Sequence, residues 1–281
     1  MTNKTFSFYT NNGGYSAMNG DQLIIETGNT HFACLVRNEP KDKIVALEWF
    51  THEKDEQQNF EELLKNIKNN SILLDKYYSQ TNLYIHNEWS VLVPPALFDK
   101  QSAEDHLNIV LGDAFESTSL FDEIKEGDGF VNAYRVESGK LDILNKHLLI
   151  DKTEHTYSQL IRKIFADDNL PADFIKVQFY HNEIIVIIFK ESKLQFIQTF
   201  VYRTSEDVLY YLLSLCERLQ LNTEQLVIKV GGVIYNPSPL YSQLQKFFKN
   251  VSTETVDLER VKFSTNEYPS HYFTPIFNLA L

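Results

Sequence analysis

Cysteine is nearly missing from this chain: Cys34 and Cys216 stand alone, one in each half. Both sit among apolar neighbours, so they read as reduced core residues and not as a disulfide. With no Cys-x-x-Cys and no Cys/His cluster, zinc-finger and thiol redox chemistry drop out. Basic residues are also short, 26 Lys and Arg against 38 Asp and Glu, for a net charge of −12. A sequence-independent hold on nucleic acid rests on Lys and Arg against phosphates, so no nucleic-acid partner is expected. Long apolar runs are absent. The longest, Ile184–Phe189, is far too short to span a bilayer, and Met1-Thr2-Asn3-Lys4-Thr5 lacks the apolar core of a signal peptide. The expectation is a cytoplasmic protein with no membrane insertion. The eight histidines show no HxxxH or HExxH spacing, and neither a G-x-x-x-x-G-K-[ST] loop nor a G-x-S-x-G elbow occurs. No metal site and no catalytic residue are expected.

What is there is enough apolar material for a core: 43% hydrophobic and 13% aromatic over 281 residues. Residues 1–20 are polar and rich in Gly and Asn, and read as a flexible tail with a local strand at Phe6-Ser7-Phe8-Tyr9. Beyond it a pattern appears twice. Leu23–Thr27, His31–Val36 and Ile44–Phe50 read as three strands before a helix from Gln57 to Asn69. Phe174–Tyr180, Ile184–Phe189 and Leu194–Val201 precede a helix from Ser205 to Leu219, with Ser205 as its expected N-cap. Gly28-Asn29 is the expected turn of the first hairpin and His181-Asn182 of the second. After each helix comes a strand and a further helix. Ser102 is the expected cap of one short helix, and residues 112–129 read as a surface connection. Ile150–Glu154 is the expected seam between a first half, 21–150, and a second, 151–281.

A three-strand meander followed by helix-strand-helix, used twice, is the plan of duplicated ribonuclease H-like halves in an actin-like ATPase architecture, an α/β fold with mixed sheets. The segment Trp89–Asp99, with Leu92-Val93-Pro94-Pro95-Ala96-Leu97-Phe98 at its centre, resembles an element of a Bacteroidetes family catalogued as domain of unknown function 3822. The run Leu240–Leu244 after a glycine turn resembles that family's second half. The resemblance covers about residues 20–280 and implies an actin-like ATPase fold in a cytoplasmic bacterial protein. It supplies no activity and no catalytic residues.

In that fold phosphates meet a hairpin of backbone N–H groups in each half, with carboxylates arranging Mg²⁺. Glu26-Thr27-Gly28-Asn29-Thr30 resembles a degraded first phosphate motif, with Glu26 where Asp is usual. The second hairpin, His181-Asn182-Glu183, has no glycine to let a phosphate approach, and its glutamate reads as solvated. Leu226–Val230 followed by Gly231-Gly232 resembles an adenosine motif, although a strand-to-helix turn needing positive φ is the preferred explanation of the glycines. His86 and Glu88 flank a strand end and read as surface groups. Two functions follow. One is a non-catalytic interaction or scaffold protein with an unknown protein partner and no cofactor. The other is a divergent ATP-binding protein or phosphotransferase using ATP with Mg²⁺ at Glu26, Gly28, Asn29, Thr30, Gly231 and Gly232.

Overall fold

The structure, a computed structural model, describes residues 2–10, 14–53, 59–112, 116–265 and 267–280. The chain forms two compact units. The first holds residues 1–163, Leu258–Ser264 and Leu279–Leu281; the second holds Ile164–Asp257 and Thr265–Asn278.

The first unit opens with strands β1 (Thr2–Tyr9), β2 (Asp21–Thr27), β3 (His31–Asn38) and β4 (Lys43–His52). Helix α1 (Phe60–Asn70), β5 (Gln80–Ile85), β6 (Ser90–Val93), α2 (Ala103–Leu111), β7 (Ser117–Ile124), β8 (Phe130–Glu137), α3 (Ser138–His147) and β9 (Lys152–His155) follow, and α4 (Thr156–Phe165) runs out of the unit. Its main sheet has the order β1-β4-β3-β2-β5-β9, and a smaller one the order β6-β8-β7. β2 and β3 are buried along nearly their whole length, because α1 and α3 supply the core that receives Leu23, Ile25, Cys34 and Val36. α1 buries Leu63, Leu64 and Ile67, one helical face, and Asn59 caps it by accepting from the Glu61 N–H. The expected start of this helix at Gln57 lies outside the described residues.

The second unit contains β10 (Phe174–Phe179), β11 (Glu183–Lys190), β12 (Lys193–Val201), α5 (Ser205–Leu219), β13 (Val227–Gly232), α6 (Pro239–Phe247), β14 (Asn250–Thr253) and α7 (Thr274–Phe277). Its sheet order is β12-β11-β10-β13-β14. β11 lies inside the sheet between β12 and β10 and is wholly apolar from Ile184 to Ile188, each residue at zero exposure. In both main sheets the meander strands pair antiparallel, and the next two strands add in parallel.

Four expectations are corrected. The start of the chain is an edge strand, not a tail: β1 pairs with β4, and Phe8 stacks on Phe263 at 5.5 Å. A bulge between Lys4 and Phe6 brings Lys4 onto the same face as Tyr9, so that both bond the buried Glu48. Within the expected surface connection lies β7, whose Asp122 and Ile124 point inward; residues 113–115 of that connection lie outside the described residues. The expected seam at Ile150–Glu154 holds β9, which pairs with β5, and the first unit continues to Lys163. Neither expected serine cap forms. Thr204 caps α5 in a reciprocal box with Asp207, and Ser102 instead bonds Asp99, which caps the preceding 3-10 turn.

Candidate functional site

The β2–β3 hairpin turns one residue later than expected. Asn29 and Thr30 are its central pair, closed by the Gly28 N–H donating to the His31 carbonyl at 2.9 Å. Gly28 does not take a left-handed φ, so its smallness serves another purpose. A Cβ there would stand 2.4 Å from Cε1 of His31. The missing side chain lets the His31 ring fold back over the turn toward Glu26.

Glu26 is fully buried near the end of β2. A carboxylate at that depth must have partners, because desolvating a charge costs several kcal/mol. The Thr156 hydroxyl donates to Oε1 at 2.9 Å, and Nε2 of His31 lies 3.2 Å from Oε2. Nδ1 of His86 is 3.9 Å from Oε1. His86 follows β5, where its N–H extends the parallel ladder by donating to the Thr27 carbonyl. The His31 ring stacks on Trp49 and meets the His86 ring edge-on, both at 5.1 Å.

Burial holds both imidazoles neutral by pushing their pKa values down to about 3. The Lys140 ammonium lowers both further, while Glu26 works the other way on His86. One donor atom from each of Glu26, His31 and His86 falls within 4.8 Å of the other two.

A second group of buried polar side chains lies close by, with His86 acting electrostatically on His155. His155 at the end of β9 is also buried and lowered to about 3; its Nδ1 accepts from the Tyr157 N–H, and its Nε2 faces Asn87 Oδ1 at 3.3 Å. Asp122 of β7 accepts from the His155 N–H at 2.8 Å and from the Ser158 hydroxyl at 2.6 Å. Burial raises its pKa to about 6 against those two bonds.

His86 also lines a cleft of about 460 Å³ in the first unit, together with Gly28, Asn29, Asn87, Trp89 and Lys140. At the cleft, Lys140 donates to the Gly28 carbonyl at 3.4 Å and lies over the Phe60 ring. Asn29 donates to the Glu88 carboxylate at 3.2 Å, and Thr30 is buried with its carbonyl accepting from the His52 N–H.

Gly231 and Gly232 end β13 in the other unit. A Cβ on Gly231 would strike Glu254 Oε2 and Thr274 Oγ1, both 2.1 Å away. On Gly232, with φ +86°, it would lie 2.0 Å from the Phe179 carbonyl oxygen. Glu254 is itself held by Lys176 at 2.5 Å and by Gln178.

The family described as "Protein of unknown function (DUF3822)" matches residues 16–251. The chain belongs to that family. Among curated proteins none matches it. Among solved structures, a protein of actin-like ATPase fold and unknown function from Bacteroides thetaiotaomicron VPI-5482 is similar with a TM-score of 0.71 at 19% identity, over 84% of this chain and 91% of that one. A chain in the PilM–PilN type IV pilus biogenesis complex is similar with a TM-score of 0.61 at 12% identity, over 92% and 96%. The DUF3822 chain therefore has the actin-like ATPase fold, with mixed sheets. None of its helices, among the described residues, is long and apolar enough to cross a membrane.

Of the residues singled out in the sequence, Glu26, Gly28, Asn29 and Thr30 share the first hairpin, and Gly231 and Gly232 stand together in the second unit. His86 and Glu183 are corrections: each was expected at the surface, and each is buried, at 1% and 2% exposure. The Glu-His-His grouping was missed because its members come from β2, β3 and the end of β5, with no local spacing to announce it. A Glu and a His five apart across a tight turn was the one available signal.

Proposed function

We propose that this protein is a non-catalytic cytoplasmic member of the actin-like ATPase fold that works by binding another protein. The observation that carries the reading lies at Gly231 and Gly232. A nucleoside can lie against a glycine pair only where the missing side chains leave space. Here Glu254 and Thr274 fill the space beside Gly231, and the Phe179 main chain fills it beside Gly232. At the first hairpin the Gly28 N–H is engaged by the His31 carbonyl, and the Glu88 carboxylate beside Asn29 would repel a phosphate. The second hairpin, His181-Asn182, contains no glycine. Together these features weigh against ATP with Mg²⁺ at the two glycine sites.

PilM is named in a complex with PilN, which supports protein binding as a use of this fold. The shared strand order and sense of the two main sheets supports a further reading, that they are duplicated ribonuclease H-like halves. The partner in this reading is an unknown protein and not nucleic acid, in keeping with the net charge of −12.

A divergent ATP binder or phosphotransferase is the second reading, favoured by the Lys140 ammonium at the cleft beside Gly28. Thermal unfolding with about 5 mM ATP and Mg²⁺ separates the two. A ligand at 100 times its Kd stabilises by about 2.7 kcal/mol, and about 1 kcal/mol moves the Tm of a protein this size by roughly 2–4 °C. The expected shift is below about 1 °C. A rise of about 5 °C that Lys140→Ala abolishes would establish the second reading instead.

A further inference from the structure

We propose that Glu26, His31 and His86 form a mononuclear site for a divalent transition metal of the zinc class. This goes beyond the protein-binding role and does not depend on it.

Two imidazoles and one carboxylate are a donor set that zinc and its neighbours accept, whereas Mg²⁺ and Ca²⁺ favour oxygen alone. In a tetrahedral site with bonds of about 2.0–2.2 Å, donor atoms stand roughly 3.4 Å apart. His31 Nε2 and Glu26 Oε2 are already at 3.2 Å, and His86 Nδ1 and Glu26 Oε1 at 3.9 Å. These two contacts fall on the two oxygens of one carboxylate, and one donor atom from each residue lies within 4.8 Å of the other two, so the set closes around a metal when the donors draw inward.

The surroundings are those of a built site. The three side chains are 0–3% exposed, so geometry is held by packing and not by mobile surface groups. The Thr156 hydroxyl bonds Glu26 Oε1 and orients the carboxylate, as outer partners do at metal sites. Gly28 leaves open the space that the His31 ring occupies. Of the three residues His86 lines the cleft, which places the approach to the site on that side. The Lys140 ammonium opposes a cation there, and the Glu26 carboxylate offsets it. A metal so placed would tie the first hairpin to the end of β5.

The test uses the full chain stripped with a chelator, then titrated with Zn²⁺ alone against a chromogenic competitor. One equivalent should bind, the Tm should rise, and X-ray absorption should show two imidazole nitrogens and a carboxylate oxygen at about 2.0–2.2 Å. His86→Gln should weaken binding by about 100-fold, while His52→Gln, also on the cleft but outside the cluster, should leave it unchanged. Binding that survives in His86→Gln, or no binding to the wild-type chain, would overturn the site. If His86→Gln does not fold, the absorption spectrum of the wild-type chain decides: a shell without two imidazoles removes the proposal.

Discussion

Glu26, Glu48, Asp122 and Glu254 are acids that the fold takes inside, each with hydroxyl, imidazole, ammonium or amide partners around it. Three of the buried histidines have pKa values pushed far down by burial, and this sets an acid response. His31, His86 and His155 have folded values near 3 against 6.5 unfolded, so the unfolded chain takes up three protons that the fold refuses. Their contribution to stability is full above pH 6.5 and is lost as pH falls toward 3. Asp122, raised to about 6 from 3.8, has the opposite sign: its contribution is full below pH 3.8 and lost as pH rises through 6. His52, lowered to about 4, adds a fourth proton, so near pH 5 the net against Asp122 is three, or about 4 kcal/mol per pH unit at roughly 1.4 kcal/mol each. Urea unfolding at pH 7 and pH 5 should differ by several kcal/mol, the acid side being weaker; a flat profile would mean that these rings are not buried neutral. Gly232 gives a second residue-scale expectation. Ala at that position faces both a left-handed φ and the Phe179 carbonyl oxygen, so Gly232→Ala should lower stability by about 3 kcal/mol. Gly139, where an added Cβ meets nothing within 4 Å, is the control in the same unfolding assay.

Among the elements, α5 shows where local reading stops one residue short. Thr204, Ser205 and Asp207 together announce a helix start, and either hydroxyl would serve as cap. The structure gives the role to Thr204, whose Oγ1 accepts from the Asp207 N–H while Asp207 accepts from the Thr204 N–H. Thr204→Ala should cost about 1 kcal/mol, and Ser205→Ala only a few tenths, in chemical denaturation. The first hairpin was also read one residue off, since Gly28 suggested a turn centre and is in fact a space left for His31. β7 lies in a stretch whose mix of Gly, Asp, Glu and Ser with isolated apolar residues reads as a surface connection. An inward acid looks the same in sequence as an outward one.

At the scale of the molecule, β1 closes the edge of the first unit's sheet and brings Lys4 and Tyr9 to Glu48. Removing residues 1–9 should expose the β4 edge and leave Glu48 short of two partners. The shortened chain is expected to elute as oligomers or to lose solubility on gel filtration; a monomer of unchanged Tm would show that β1 is dispensable. The meanders, the helices after them and the apolar centre of β11 were determined by the sequence alone, because strand alternation, helical period and turn residues are local properties. The resemblance carried by Leu92–Phe98 and the repeated order of elements pointed to the fold class, which the likeness to a solved structure of that fold then showed. Only the tertiary structure decided which polar groups are buried together. Glu26 and Thr156 are 130 positions apart, and His86 reaches them through the parallel pairing of β2 with β5, a contact that no local pattern encodes. The hairpin read as a remnant of phosphate binding became, in three dimensions, one wall of a Glu-His-His cluster.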